Sequence, residues 1–515
     1  MVMVLPMLLV CMVVTVVITV HVICALDEHK RKRFSGASLP LPPGPVALPI
    51  VGNAFSFIGP FGHNPHRILT SLAKTYGSIV SFRPGMAGNF VVVSSPEAAR
   101  EALIKNDAAL AARFVPDNTR ALGHCSESMF FLPTYSHLWK QHRITLGTSL
   151  STGRGLDTTR PIRDRHACRL SEHLRFCSGM PIKIGEAVQG TVLDVMSNIL
   201  FSKDGTHLRV KGGQLFKDLL VEVLEDWTKP NVSDAFPFFA SLDLLGSRRR
   251  ISRGLAKLYK FFDEEFVERR LGSSENHHDL LDFILSQHAK SKLTRSEITK
   301  FFTDIFLAAS NTSRITVEWA MALLLKHPEK MKKLRAELAA SLGTKEFVQE
   351  SDLDKLPYIH AVVKETLRLQ PSAPLLPRMV STDGMSLGGF SVPIGTNILI
   401  NLWAIGRDPT VWPQAGEFLP ERFLGSRSLD FRGSEDFTYR PFGAGRRMCP
   451  GLDFAAQLIP LLLASMLHKI DWSLPDGIVP EDVDLRDRYS MVLELAKPLI
   501  AVPVSTVCRA PPWLM

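Results

Sequence analysis

The sequence predicts a mainly helical protein with a minor β region, carried behind one N-terminal transmembrane helix. Three features of the 515 residues point there: an almost unbroken apolar stretch from Met1 to Leu26, a segment over 294–326 whose apolar residues recur at helical spacing, and strand signals confined to two short regions. Helical patterns dominate between those regions. A hydrophobic fraction of 45% with 22% charged residues suits a globular body with a large core. The seven cysteines, at 11, 24, 125, 168, 177, 449 and 508, are scattered without paired spacing, which argues against a disulfide framework and against zinc.

Met1 to Leu26 hold no formally charged side chain except the titratable His21, and exceed the ~20 residues that cross a bilayer. A positive first region, a short apolar core and a small-residue cleavage site, the marks of a removable signal peptide, are not evident. Lys30-Arg31-Lys32-Arg33 follows and by the positive-inside rule stays cytoplasmic, which places the body on the cytosolic face. In Leu39-Pro40-Leu41-Pro42-Pro43-Gly44-Pro45 the prolines remove backbone donors and fix φ, so the segment is expected as a stiff extended connector. The organisation is thus an anchor over 1–26, a basic and proline-rich linker over 27–45 and one globular domain over 46–515. The net charge of +9 comes from dispersed residues with no nucleic-acid motif, so anionic lipid or an acidic protein partner fits better than nucleic acid.

In the body, Ile79 to Arg83 and Phe90 to Val93, separated by a Pro- and Gly-containing turn, read as a β-hairpin. Trp139 and Arg143 lie four residues apart on one face of an expected helix. Thr294 and Glu297 have capping-box spacing, and Ile298, Phe301, Phe302, Ile305, Phe306 and Ala309 follow the helical repeat, predicting a helix from Thr294 to Lys326 about 50 Å long. Its middle, Ala308-Ala309-Ser310-Asn311-Thr312-Ser313, is a small polar island. Glu365 and Arg368 share a helical face among mostly apolar neighbours, so the pair is expected to be buried and to need further partners. Residues 371–378 should be bent by their prolines, and 388–400 carry turn and strand signals.

Near the C-terminus stands Pro441-Phe442-Gly443-Ala444-Gly445-Arg446-Arg447-Met448-Cys449-Pro450-Gly451, followed by an apolar helical run from Leu452 to Leu467 that Pro460 should kink. A helix N-terminus and the neighbouring Arg446 and Arg447 would favour the ionised sulfur of Cys449, the form that binds metal. Phe442, Gly445, Arg447, Cys449 and Gly451 fill the pattern F-x-x-G-x-R-x-C-x-G, a coincidence with odds on the order of one in ten thousand at average residue usage. The stretch resembles the haem-binding loop of the cytochrome P-450 family of haem-thiolate monooxygenases. The likeness extends over nearly the whole chain, and the text from Asn231 to Arg250 resembles plant members that hydroxylate terpenoids.

The resemblance implies the cytochrome P-450 fold and haem b with Cys449 as its iron ligand. Trp139, Arg143, Arg378, Phe442 and Arg447 are then the residues expected around the haem, and Arg422 the third member of a structural network with Glu365 and Arg368. Thr312 supplies the alcohol of the family's acid–alcohol relay to dioxygen. The chain departs from the pattern at Asn311, where an acid is usual, and at Ala309, where glycine is common; an amide does not exchange protons as a carboxylate does. A distal, substrate-facing surface is expected from Phe302, Phe306, Ala309, Ala373, Leu375, Leu376, Met491 and Val492, none of them ionisable. The chain has no nucleotide or flavin fingerprint, so NADPH electrons are expected through a membrane-bound reductase flavoprotein, with the protein in the endoplasmic reticulum membrane. The expected reaction is hydroxylation of an apolar small molecule, a mono- or diterpenoid and first a labdane-related diterpene. A phenylpropanoid or flavonoid, on which Phe302 and Phe306 would stack, and a reductase-independent isomerase or dehydratase of the same fold are the alternatives.

Overall fold

The computed structural model describes Thr15 and residues 39–506, apart from 58–63, 152, 211–212, 230, 274–276, 291 and 426–429. The expected anchor, Thr15 aside, and the basic run Lys30 to Arg33 lie outside the described residues. Among the described residues no helix is long and apolar enough to cross a membrane. The chain divides into two compact units, one of 1–117, 230–245 and 375–405, the other of 118–229, 246–374 and 406–515.

The first unit holds helix α1 (Pro65–Tyr76) and a four-stranded sheet. The expected hairpin forms, β1 (Ile79–Phe82) pairing antiparallel with β2 (Phe90–Val93) and Ile79 lying opposite Val93. Strands β3 (Leu375–Met379) and β4 (Asn397–Asn401) complete the order β1-β2-β4-β3, with β2 and β4 parallel. Residues 371–378 were expected only to bend, and the strand from Leu375 is a difference. It is tolerated because β3 is an edge, where the missing amide of Pro377 breaks no ladder. The proline-rich connector is pinned here, the Ser81 amide donating to the Pro43 carbonyl at 2.7 Å. A Cβ on Gly44 would stand 1.8 Å from the Ser81 carbonyl oxygen, so this contact requires glycine.

The second unit is helical: α2 (His137–Leu146), α3 (Gly153–Phe176), α4 (Ile184–Phe201), α5 (Arg295–Lys326), α6 (Pro357–Leu369) and α7 (Leu452–Leu467) position the residues considered below. Helix α5 begins where its capping box predicts, the Thr294 side chain accepting from the Glu297 amide while the Glu297 carboxylate accepts from the Thr294 amide. It packs against α4, α6 and α7, and Ile298, Phe301, Phe302, Ile305 and Phe306 are buried. Phe302 and Phe306 join an aromatic core with Phe201, Phe216, Phe262 and Phe266. Helix α7 is continuous through Pro460. A two-stranded hairpin, β5 (Asp487–Ser490) and β6 (Val492–Leu495), turns at Met491 and packs β6 on α5.

Candidate active site

The Cys449 loop turns on two glycines with left-handed backbone, Gly443 at φ 72° and Gly445 at φ 70°. These turns let the Met448 amide donate to the Gly445 carbonyl and the Cys449 amide to the Phe442 carbonyl, each at 3.0 Å. Cys449 is a free, half-buried thiol two residues ahead of Gly451, the cap of α7. Burial pushes the thiol above its ordinary value, while the Gly451 amide donating to the sulfur and the charge of Arg143 act in the opposite direction. That corrects the expectation that Arg446 and Arg447 supply the favourable charge. Arg447 points away, donating to the carbonyls of Met129 (3.1 Å) and Leu132, with its guanidinium 5.4 Å from the Trp139 ring centre. Arg143 lies over the same ring and donates to the Met448 carbonyl at 2.8 Å.

In the middle of α5 the burial pattern breaks. Ala308 is exposed and Ala309, Asn311 and Thr312 are half-buried, while the turns on either side are buried. Ala308, Ala309 and Thr312 stand at i, i+1 and i+4, one open patch of small side chains. The Thr312 hydroxyl donates to the Ala308 carbonyl at 3.0 Å, which leaves its lone pairs free to accept. One turn on, Thr316 shares a 2.9 Å hydrogen bond with Ser372, and the Leu493 amide donates to the Ser372 carbonyl at 3.0 Å. These bonds bring the segment carrying Ala373 and the strand carrying Val492 to the same stretch of α5. Met491 is exposed at the hairpin turn.

Phe302 and Phe306 were expected on the substrate-facing surface, and this is corrected. Both are fully buried in the aromatic core, Phe302 edge-on to Phe201 at 4.8 Å and Phe306 stacked on Phe262 at 5.5 Å. Phe306→Ala is therefore expected to destabilise the protein by about 3–5 kcal/mol through a core cavity, measured by denaturant unfolding, without changing which products form. Leu375 is buried and Leu376 half-buried in the first unit.

Glu365 and Arg368 are buried as expected, and all five guanidinium donors are used. Two go to the Glu365 carboxylate at 2.7 and 2.8 Å, the rest to the carbonyls of Gly406, Ala415 and Glu417. Arg422 completes the group, its Nε 3.4 Å from Glu365. In the first unit Arg378 is buried on β3, its guanidinium bonded to the Pro377 carbonyl. Burial and the charge of Arg113 pull it down to about 9, against a weaker opposing pull from Asp107.

The Cys449 loop, the open patch on α5 and the Glu365–Arg368 network meet the fold in one helical architecture, and the cytochrome P450 family model matches residues 42–500. The chain belongs to the cytochrome P450 family. It is 42% identical over 484 residues to an ent-cassadiene C11-alpha-hydroxylase of Oryza sativa subsp. japonica, covering 92% of this chain and 95% of that one. It is 39% identical to an oryzalexin E synthase of the same organism (93% and 94% covered) and 38% identical to the geraniol 8-hydroxylase of Catharanthus roseus (90% and 94%). A zebra fish cytochrome P450 solved with progesterone superposes with TM-score 0.72 at 27% identity, covering 85% of this chain and 99% of that one.

As a cytochrome P450 the chain is a monooxygenase, and the family implies haem and dioxygen. The residues present in the second unit fit that group: a free thiol just ahead of the cap of α7, small side chains on an open helix patch, and the Arg143 guanidinium held down by desolvation, to which an anionic substituent would restore a counter-charge. Sequence reading missed Asp304, fully buried on α5, whose carboxylate accepts from the Ser128 hydroxyl at 2.9 Å and the Met129 amide at 2.7 Å. No local signal links positions so far apart. It also missed Arg314, Glu318 and Glu494, although Arg314 and Glu318 have the legible i, i+4 spacing of a helical ion pair.

Proposed function

We propose that this cytochrome P450 hydroxylates a mono- or diterpenoid, a labdane-related diterpene first, with NADPH electrons delivered by a membrane-bound flavoprotein reductase on the cytosolic face of the endoplasmic reticulum. Cys449 is the iron ligand, and Trp139, Arg143, Phe442 and Arg447 surround the haem. Bound haem would supply activation of dioxygen; this chain's residues orient the substrate, exclude water and deliver protons. Arg143 beside Cys449 favours the thiolate, and Thr312, its lone pairs open, is the group that accepts and passes on a proton at the patch. The observation that carries the reading is that patch: Ala308, Ala309 and Thr312 open a small, mostly apolar surface within a buried helix, beside Ala373 and Val492. An anionic substrate would be desolvated there without compensation, whereas a rigid hydrocarbon loses little conformational entropy.

Relatives whose names denote diterpenoid and monoterpenoid hydroxylation support the class. The flavonoid alternative drew on stacking by Phe302 and Phe306, both of which lie in the core, so the terpenoid is favoured. The test is turnover by the purified protein with reductase against terpene and flavonoid panels, comparing the natural chain with Ala373→Phe. Terpene hydroxylation is expected, with the substitution shifting the ratio of oxidised positions by about tenfold, roughly the change in barrier that 1.4 kcal/mol represents. Flavonoid turnover without terpene oxidation would reject the substrate class, and an unaltered product ratio would remove Ala373 from the site.

A further inference from the structure

The relay position that lacks its acid is not isolated. Arg314 Nε donates to Asn311 Oδ1 at 2.8 Å, and because a guanidinium has no acceptor, the amide oxygen must face Arg314 and the NH2 end must face away. Arg314 is itself clamped, by Glu318 at 2.7 Å and Glu494 at 3.0 Å. Glu318 also accepts from the Leu499 amide at 3.1 Å. Gly185, at the start of α4, leaves room for it: a Cβ there would stand 2.7 Å from the Glu318 carboxylate.

On its other side Arg314 lines a cleft of about 320 Å³, whose walls also carry Lys183, Glu186, Glu318, Arg488 and Glu494. The outer groups are open to solvent and the inner ones are not: Arg488 is 57% exposed, Glu494 and Arg314 14%, and Glu318 4%. Arg314 therefore touches both the charged cleft and the Asn311 side chain. We propose that Arg314 is a positioning residue that fixes the Asn311 amide, and that this cleft is the inlet through which protons from bulk water reach the Asn311–Thr312 turn, with Glu318 and Glu494 replacing the carboxylate that position 311 lacks.

The guanidinium stays protonated throughout and carries no proton. A hydronium ion in the cleft gives a proton to a carboxylate oxygen and is left as water, the resulting carboxyl gives one to a water on the inner side, and that water passes one to the Thr312 hydroxyl oxygen as Thr312 gives its own hydroxyl proton onward, so one proton enters for each that leaves and no electron moves. Glu318 is suited to hold a proton briefly. Burial raises it, Glu494 and Glu186 raise it further, and Arg314 with the Leu499 amide pulls it back; Lys183 and Arg488 face the outer carboxylates.

This inference rests on the role proposed for Thr312, and the test separates the two. Holoprotein with reductase and substrate is assayed for product per NADPH and for hydrogen peroxide in the natural chain, Thr312→Ala, Arg314→Gln, Arg314→Lys and Glu494→Gln. The carbon monoxide stretching frequency of the ferrous complex is recorded without turnover as a report on the polar groups at the patch. Arg314→Gln is expected to cut product per NADPH about tenfold, below the roughly hundredfold that a directly acting acid or base supplies, and to displace the stretch. Arg314→Lys should recover part of both, and Glu494→Gln should fall between. Natural coupling and an unmoved stretch in Arg314→Gln, with Thr312→Ala uncoupled, would overturn the inlet while leaving Thr312 in place. Unchanged coupling in Thr312→Ala would overturn its role, and the inlet with it. If Arg314→Gln does not fold, Glu494→Gln decides the same question from the carboxylate beside Arg314: natural coupling there would overturn the inlet.

Discussion

Cys449→Ala is expected to abolish the strongly red-shifted Soret band of the ferrous carbon monoxide complex and to lower monooxygenase activity by more than about a thousandfold, roughly 4 kcal/mol in the barrier. The loop offers no second thiol: Cys125, Cys168 and Cys177 lie far from it in the chain, and among the described residues no cluster of His, Cys, Asp or Glu stands ready to hold a metal ion. Removing a half-buried sulfur should cost the fold only about 1 kcal/mol, so the variant should remain soluble with near-natural helicity. Cys449→Ser separates ligation from packing, since a hydroxyl of similar size fills the position without providing a thiolate. Retention of the band in either variant would require another ligand.

Arg368→Ala is expected to be the most damaging substitution away from the haem. It leaves the Glu365 carboxylate buried with the Leu419 amide and Arg422 as partners, and it orphans the carbonyls of Gly406, Ala415 and Glu417 that the guanidinium binds. Breaking a buried pair from one side costs about 3–5 kcal/mol, a large share of the ~5–15 kcal/mol by which a domain is stable. The expected result is a much lower unfolding midpoint and a large loss of the haem-loaded fraction. Glu365→Leu with Arg368→Met removes the charges together, a change often neutral for an isolated pair. Here no rescue is expected, because the three carbonyls stay unsatisfied. A double variant within about 1 kcal/mol of the natural protein would show that the charge pair, not the carbonyl anchoring, was what mattered.

Local periodicity and capping chemistry made the long helix legible almost to the residue: Thr294 and Glu297 set its start, and the apolar repeat set its buried stripe. The burial of Glu365 and Arg368 was legible from their neighbours. What escaped depends on residues distant in sequence. Phe302, Phe306 and Ala309 lie on one apolar stripe, but Phe201 and Phe262 enclose the first two while the third is left half-open. The strand at Leu375 takes its register from Asn397–Asn401, and its proline argued against it locally. Arg143 rather than its rivals in the loop serves Cys449 because α2 brings it to the Met448 carbonyl, and Arg314 meets Glu494 across 180 positions.

Terpenoid monooxygenation is tested most directly by isotope. Purified holoprotein, reductase and NADPH are supplied with a labdane-related diterpene under ¹⁸O-labelled dioxygen, and the product is examined by mass spectrometry. A hydroxylated terpene carrying one labelled oxygen is expected, formed only when NADPH and reductase are present. A product formed without dioxygen or NADPH, or one whose oxygen comes from water, would contradict the proposed reaction.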